Sequence, residues 1–141
     1  MGGIVSGLLG GDASAAAAEY PSSSEPSRVL EFHSSQRWRL HFNSAKQSPK
    51  LMVIDFSAKW CGPCKMMEPA LRAMADKYPN VDFIKIDVDE LSDVAQEFGV
   101  QAMPTLVLMK QGKEVERIIG TKTAELESKI TKHRELPKFA A

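Results

Sequence analysis

One nearly continuous apolar stretch, LMVIDFSA at residues 51–58, constrains the fold of this 141-residue chain more than any other feature. It lies between Pro49-Lys50 on one side and a pair of closely spaced cysteines on the other. Apolar residues at consecutive positions are typical of a strand that is covered on both faces, as in a parallel sheet with helices on either side. The stretch therefore predicts a central strand in an α/β domain.

Strand-like and helix-like segments alternate along the chain from Arg28 onward. The strand-like segments are RVLEF, LMVIDFSA, VDFIKIDVD, PTLVLMK and KEVERIIG, and the helix-like segments are QRWRLHFNSAK, CKMMEPALRAMADKY, SDVAQEF and a last one from about Thr123. Their order is β-α-β-α-β-α-β-β-α, and the last two strands form a hairpin across Gln111-Gly112. This alternation favours parallel pairing early in the chain, and the hairpin must add antiparallel strands.

The spacing of apolar residues predicts which face of each helix is buried. These residues are Trp38, Phe42 and Ala45 in the first helix, Met67, Leu71, Met74 and Tyr78 in the second, and Leu126 and Ile130 in the last. Ser34 or Ser35 is suited to cap the first helix, and Gly99 is suited to end the third in a left-handed conformation.

Residues 1–27 differ in composition from the rest of the chain. They read MGGIVSGLLGGDASAAAAEYPSSSEPS, which offers little to pack, so we expect a flexible extension followed by one domain over residues 28–141. The segment contains acidic residues but no Lys or Arg, and glycine interrupts its short apolar run. It therefore lacks the features of a secretory signal or of an Arg-rich transit peptide.

The charge balance and the apolar pattern exclude several classes of protein. Eighteen basic side chains match 18 acidic ones, so no overall field predicts binding to nucleic acid. Membrane-spanning helices need roughly 18 apolar residues in succession, and no stretch reaches that length. Two cysteines are too few for a disulfide-rich secreted scaffold, so we expect a reducing compartment, the cytoplasm.

The segment WCGPC holds the only two cysteines, Cys61 and Cys64. They could form a purely structural disulfide (a clip), half of a metal site, or a dithiol that makes and breaks one disulfide. A zinc site needs four ligands, and His33, His41 and His133 share no metal-ligand spacing. A clip that closes so small a loop removes little entropy from the unfolded chain. Disulfide exchange is the favoured interpretation.

The position of the two cysteines suits that chemistry. Cys61 is expected at the start of the helix that follows the central strand, where free N–H groups and the helix dipole favour a thiolate. Only the thiolate attacks a disulfide, so Cys61 is the candidate nucleophile, and Cys64 lies one turn further, within reach of it. Gly62 permits the close approach of another chain, and Pro63 stiffens the turn without removing a needed donor.

From about residue 28 to its end, the sequence resembles the thioredoxins. The motifs that carry the resemblance are WCGPCK at 60–65, Asp55 six residues before Cys61, Pro69, KIDVD from Lys85, MPT at 103–105 and Gly120. The chain is most similar to the plant cytosolic type h, in the subgroup whose N-terminal extension begins Met-Gly. The resemblance implies the α/β thioredoxin fold, with a central mixed five-stranded sheet flanked by about four helices.

The same resemblance implies a role for each matching residue near the cysteines. Cys61 would be the attacking cysteine, and Cys64 the buried cysteine that resolves the mixed disulfide. Asp55, in an apolar strand, would have a raised pKa and act through water as a base toward Cys64. Lys85 would approach Asp55 from the neighbouring strand and tune it.

The resemblance also implies a substrate-docking surface. Pro104 would follow a cis peptide bond and place the backbone of Met103 beside the disulfide, where it can pair with a substrate strand. The implied apolar patch consists of Trp60, Gly62, Pro63, Met103, Ile119 and Gly120. The implied partners are NADPH-dependent thioredoxin reductase and disulfide-containing target proteins. We expect a monomer with no bound cofactor beyond the redox-active disulfide Cys61–Cys64.

Two other functions remain open at this point. One is a glutaredoxin-like enzyme supplied by glutathione, although Gly-Pro rather than Pro-Tyr between the cysteines disfavours it. The other is a lipid-tethered adaptor or holdase with this fold, whose function would survive Cys61→Ser.

The first residues, MGGIVS, fit the acceptor pattern for N-myristoylation of Gly2. A single myristoyl chain supports only marginal, reversible membrane binding. The extension has no cysteine for palmitoylation and no basic residue to attract an anionic leaflet. We therefore expect a cytoplasmic protein with, at most, weak and reversible membrane contact through Gly2.

Overall fold

The computed structural model describes residues 27–135. Gly2 and almost all of the predicted extension lie outside the described residues, as do residues 136–141. The elements are β1 (Val29–Phe32), α1 (Ser35–Ala45), β2 (Leu51–Ser57), α2 (Gly62–Lys77), β3 (Val81–Asp87), α3 (Ser92–Glu97), β4 (Thr105–Lys110), β5 (Lys113–Ile119) and α4 (Thr123–His133). The predicted order of strands and helices is confirmed.

The five strands form one mixed sheet in the order β1-β3-β2-β4-β5. Strands β1 and β2 both pair with β3 in parallel, whereas β4 runs antiparallel to β2 and to β5. All seven residues of β2 are buried, as expected of a strand that is covered on both faces. The mixed five-stranded sheet with four helices predicted from the sequence is therefore confirmed.

Helices cover both faces of the sheet, and successive residues of β2 point to opposite sides. Leu51 and Val53 pack into one apolar cluster with the buried residues of α2 and α4. Met52, Ile54 and Phe56 pack into a second cluster with those of α1 and α3. The alternation places the next residue in the first series, Asp55, on the face that α2 covers.

The predicted buried faces of the helices are found in these two clusters. Trp38 is buried in the second cluster, with Phe42 and Ala45 packed against it. In the first cluster lie the predicted residues of the second and last helices, Met67, Leu71, Met74, Tyr78, Leu126 and Ile130.

Local signals end the elements where the chain must change direction. The Ser34 hydroxyl accepts a hydrogen bond from the Arg37 N–H at 3.3 Å, and Gly99 adopts φ +64° after α3. Gln111 and Gly112, with φ of +52° and +81°, form the two-residue turn of the predicted hairpin. Strand β3 ends at Asp87, two residues earlier than predicted, because the Asp87 carboxylate accepts hydrogen bonds from the next two free N–H groups and turns the chain.

No helix within residues 27–135 is long and apolar enough to cross a membrane.

Candidate active site

The two cysteines lie where β2 leads into α2. Cys61 is the N-cap of α2, with extended backbone angles of φ −90° and ψ 109°, and its Sγ accepts a hydrogen bond from the Cys64 N–H at 3.2 Å. Pro63 stands in the first turn, where a helix needs no N–H donor. A disulfide joins Cys61 to Cys64, whose Cα atoms are 5.3 Å apart. Cys61 Sγ is thus at the positive end of a 16-residue helix.

Apolar groups enclose both sulfur atoms. The two cysteines form a small cluster with Ala58, and Val88 and Met103 pack against it. Cys61 retains 5% of its surface exposed and Cys64 retains 2%. Cys61 Sγ lies 3.7 Å from the carbonyl oxygen of Met103, so the backbone of that residue borders the disulfide directly.

The loop that carries Met103 is brought to the cysteines by the sheet. Because β4 runs antiparallel to β2, its first residue, Thr105, pairs with Phe56 near the end of β2. On its other side Thr105 pairs with Ile119, the last residue of β5. The Met103–Pro104 peptide bond is cis, and the Gly120 N–H donates to the Pro104 carbonyl at 2.9 Å. These four residues, 103, 104, 119 and 120, therefore lie at the same edge of the sheet as the dithiol.

Several residues of the predicted docking patch are exposed around the disulfide. Trp60 has 68% of its surface exposed and Ile119 has 54%, while Gly62 and Pro63 are exposed and Met103 is half-buried. The indole Nε1–H of Trp60 donates to the Asp89 carboxylate at 2.8 Å, which holds the ring in place.

Two residues near this patch were missed in the sequence. Asp89 is one, because its bond to Trp60 depends on how the loop after β3 folds. Met66 is the other: it lies one turn beyond Gly62 and Pro63 on α2, and 80% of its surface is exposed. Its helical spacing from those two residues could have identified it.

Asp55 occupies a core position on β2 with 3% of its surface exposed. Its Oδ1 atom has no hydrogen-bond partner among the described residues. Burial is the main cause that raises the pKa of Asp55 to about 7. The charge of Lys85 acts in the opposite direction, and the charge of Glu68 raises the pKa further. Asp55 can therefore both hold and release a proton near neutral pH.

Lys85 lies directly opposite Asp55 in the register of β3 and β2. Its ammonium nevertheless forms an ion pair with the carboxylate of Glu68 on α2. Burial lowers the pKa of Lys85, but the hydrogen bond and charge of Glu68, with the charges of Glu31 and Asp55, outweigh it and raise that pKa. Glu68 was missed in the sequence, although it lies four residues after Cys64 and hence one turn along the same helix.

The described residues contain no candidate metal site. No group of three or more His, Cys, Asp or Glu side chains within residues 27–135 could hold a metal ion. His33 contacts Glu90 and His133 contacts Glu116, each at 2.8 Å, and the His41 ring packs against Phe32.

Comparison with known proteins assigns the family. The thioredoxin family model matches residues 32–132. The chain belongs to the thioredoxin family. It is similar to Thioredoxin H2 of Arabidopsis thaliana, with 63% identity over 136 residues that cover 95% of this chain and 99% of the relative. Thioredoxin H2-2 of Oryza sativa subsp. japonica is 53% identical over 105 residues, 74% of this chain and 78% of the relative.

A solved structure agrees with this assignment. The crystal structure of the thioredoxin NaTrxh from Nicotiana alata superposes with a TM-score of 0.77 and is 74% identical, covering 79% of this chain and 96% of that one. The fold is therefore the thioredoxin fold, and the plant relatives are of the h type. Thioredoxins are protein-disulfide oxidoreductases, and Cys61 and Cys64 form the redox-active disulfide of this one.

The buried carboxyl group of this thioredoxin makes stability depend on pH. A carboxyl whose pKa rises on folding binds its proton more tightly in the folded state, so stability falls as pH rises from about 4 to about 7. We expect oxidised Asp55→Asn to exceed wild type in unfolding free energy by up to about 4 kcal/mol at about pH 8. The gain should shrink toward pH 4, as measured by urea unfolding at several pH values.

Asp76→Asn is the matched control, because Asp76 is exposed and its ion pair with Arg28 is 3.8 Å long. Its effect should stay within about 0.5 kcal/mol at every pH. A loss of stability in Asp55→Asn that is equal at all pH values would contradict the account of Asp55.

Proposed function

We propose that this thioredoxin is a general protein-disulfide reductase in which Cys61 attacks the target and Cys64 resolves the mixed disulfide. The observation that carries the proposal is the position of Cys61 as the N-cap of α2, bordered by an exposed apolar surface. The N–H of Cys64 points at Cys61 Sγ and, together with the helix dipole, stabilises a thiolate there.

In the first step the Cys61 thiolate attacks one sulfur of a target disulfide. A bond forms between Cys61 and that sulfur, the target S–S bond breaks, and the second target sulfur leaves as a thiolate that takes a proton from solvent. The target chain lies against Trp60, Gly62, Pro63, Ile119 and Gly120. Its backbone pairs with that of Met103, whose carbonyl already borders Cys61 Sγ.

In the second step Cys64 loses its thiol proton to the Asp55 carboxylate through an intervening water. The Cys64 thiolate then attacks Cys61 Sγ, forms the intramolecular disulfide and releases the remaining target sulfur as a thiolate. Two electrons have passed from the dithiol to the target, and Asp55 carries the proton. A pKa of about 7 suits Asp55 to this exchange, because the base can accept and return a proton near neutral pH.

Thioredoxin reductase returns the protein to the dithiol state with electrons from NADPH. The disulfide itself is the redox centre, and we propose that the protein acts as a monomer with no bound cofactor. This cycle differs from that of a glutaredoxin-like enzyme in its electron donor, which in the latter case is glutathione.

The function is tested by insulin-disulfide reduction with NADPH and thioredoxin reductase, comparing wild type with Cys61→Ser and Cys64→Ser. We expect rapid NADPH oxidation by wild type and a loss of at least about 1000-fold in both variants, because each lacks one of the two sulfurs that the cycle needs. A parallel assay replaces the reductase with glutathione and glutathione reductase.

Turnover with glutathione but not with thioredoxin reductase would assign the glutaredoxin-like function instead. No turnover with either donor, by a folded wild-type protein, would contradict the reductase function and favour the adaptor. Full activity in Cys61→Ser would exclude Cys61 as the nucleophile.

We further propose that residues 1–27 form a flexible extension to a catalytic domain over residues 28–141, and that Gly2 is myristoylated. The MGGIVS pattern supports the modification. Because one acyl chain without a second signal binds membranes only weakly and reversibly, we propose a cytoplasmic protein with transient membrane contact.

Coexpression with N-myristoyltransferase tests the modification, with Gly2→Ala as the control. We expect the intact mass of wild type to increase by one myristoyl group and that of Gly2→Ala to stay unchanged. The modified protein should partition partly onto vesicles and dissociate on dilution. An unmodified wild-type protein under conditions that modify a known substrate would contradict this proposal.

A further inference from the structure

A row of charged residues crosses the sheet beneath α2. Glu31 on β1 pairs in register with Lys85 on β3, and Lys85 pairs in register with Asp55 on β2. Alternation along each strand places all three on the face that carries Val29, Val53 and Phe83 of the first apolar cluster. One ammonium group is therefore flanked by a carboxylate on each neighbouring strand.

Helix α2 adds a third carboxylate to this row. Glu68 forms the ion pair with Lys85, whose side chain is 25% exposed, whereas that of Glu68 is 43% exposed. Asp55, Glu68 and Lys85 line a cavity of about 80 Å³ together with Glu31 and Arg72. Glu68 and Lys85 also line a larger cleft of about 470 Å³ that reaches Lys59 and Lys65 beside the cysteines. The ion pair thus borders both the cavity that contains Asp55 and the outer cleft.

We propose that Glu68 is a positioning residue for the reduction of disulfides: it holds the Lys85 ammonium away from Asp55 and so keeps the Asp55 carboxylate basic enough to accept the Cys64 proton. Glu68 serves the reaction in this way only if Asp55 is the base, so the inference rests on the proposed function.

The direction of the effect follows from the charges that face Asp55. Lys85 faces it from β3, Glu68 and Arg72 from α2, and Glu31 lies beyond Lys85 on β1. The residue opposite Asp55 on β4 is the apolar Leu106. An ammonium close to a carboxylate favours its ionised form, and a second carboxylate disfavours it.

Removing the charge of Glu68 therefore makes Asp55 a weaker base in two ways. It takes away a negative charge that disfavours ionised Asp55, and it releases an ammonium that favours ionised Asp55. Both changes make Asp55 a weaker base. Removing the charge of Lys85 must act in the opposite direction, which provides a second variant that tests the same geometry.

The experiment uses Glu68→Gln, which preserves the size of the side chain. The titration of the Asp55 carboxyl carbon is followed by NMR in the oxidised protein. We expect its midpoint to fall by about 1 pH unit in Glu68→Gln and to rise in Lys85→Met. Glu127→Gln is the matched control, because Glu127 also pairs with a lysine, Lys77, at 2.6 Å and is 34% exposed. It should leave the midpoint unchanged.

The kinetic measurement mixes each reduced protein with the symmetric aromatic disulfide that consists of two thionitrobenzoate units. Attack by Cys61 releases one coloured thiolate, and resolution by Cys64 releases the second. In Glu68→Gln, the acidic limb of the pH–rate profile of the second phase should shift to lower pH by the same amount as the midpoint of the Asp55 titration. The first phase should not move with it.

An Asp55 midpoint that is unchanged or raised in Glu68→Gln would overturn the inference, whatever the activity. A second phase that stays unchanged in Asp55→Asn would instead show that Asp55 is not the base, and the inference would fail together with that part of the proposed function. The two failures are distinguishable, because the NMR titration does not depend on turnover.

Discussion

Strand β2 is buried on both faces from Leu51 to Ser57, and the rest of the molecule is arranged around that burial. Full burial of a large apolar side chain contributes roughly 1.5–3 kcal/mol, so the apolar residues of this strand hold the two helical layers together. Asp55 occupies one of these core positions, where an ionised carboxylate is costly. The same packing that stabilises the fold therefore holds an acid within β2 with its pKa raised to about 7.

The chemistry of the site is a consequence of sheet topology. Because β2 leads directly into α2, the dithiol lies at a helix N-terminus. Because β4 runs antiparallel to β2, the Met103–Pro104 segment returns to the same edge, and its carbonyl borders Cys61. Because β3 runs parallel to β2, Lys85 lies next to Asp55. The nucleophile and the docking loop thus meet although 42 residues separate Cys61 from Met103 in the chain, and the buried acid lies on the strand that leads into the helix of the nucleophile.

Much of this could be predicted from residue patterns. The continuous apolar stretch identified β2, helical spacing identified the faces that carry Trp38 and Met67, and the position of Cys61 after a strand predicted its place at a helix start. The ion pair of Lys85 could not be predicted, because three carboxylates on three elements compete for one ammonium. In the folded chain the ammonium pairs with Glu68 on α2. The early end of β3 at Asp87 likewise depends on which N–H groups a local carboxylate reaches.

We expect unequal roles for the two sulfurs, because Cys61 is the N-cap of α2 beside the exposed Trp60 and Cys64 lies deeper in the first turn of that helix. The most direct test mixes the reduced wild-type protein with a disulfide-linked peptide, stops the reaction with acid within milliseconds, and locates the adduct by peptide mapping and mass spectrometry. We expect the transient mixed disulfide to be on Cys61. An adduct on Cys64, or an equal distribution over both sulfurs, would contradict it.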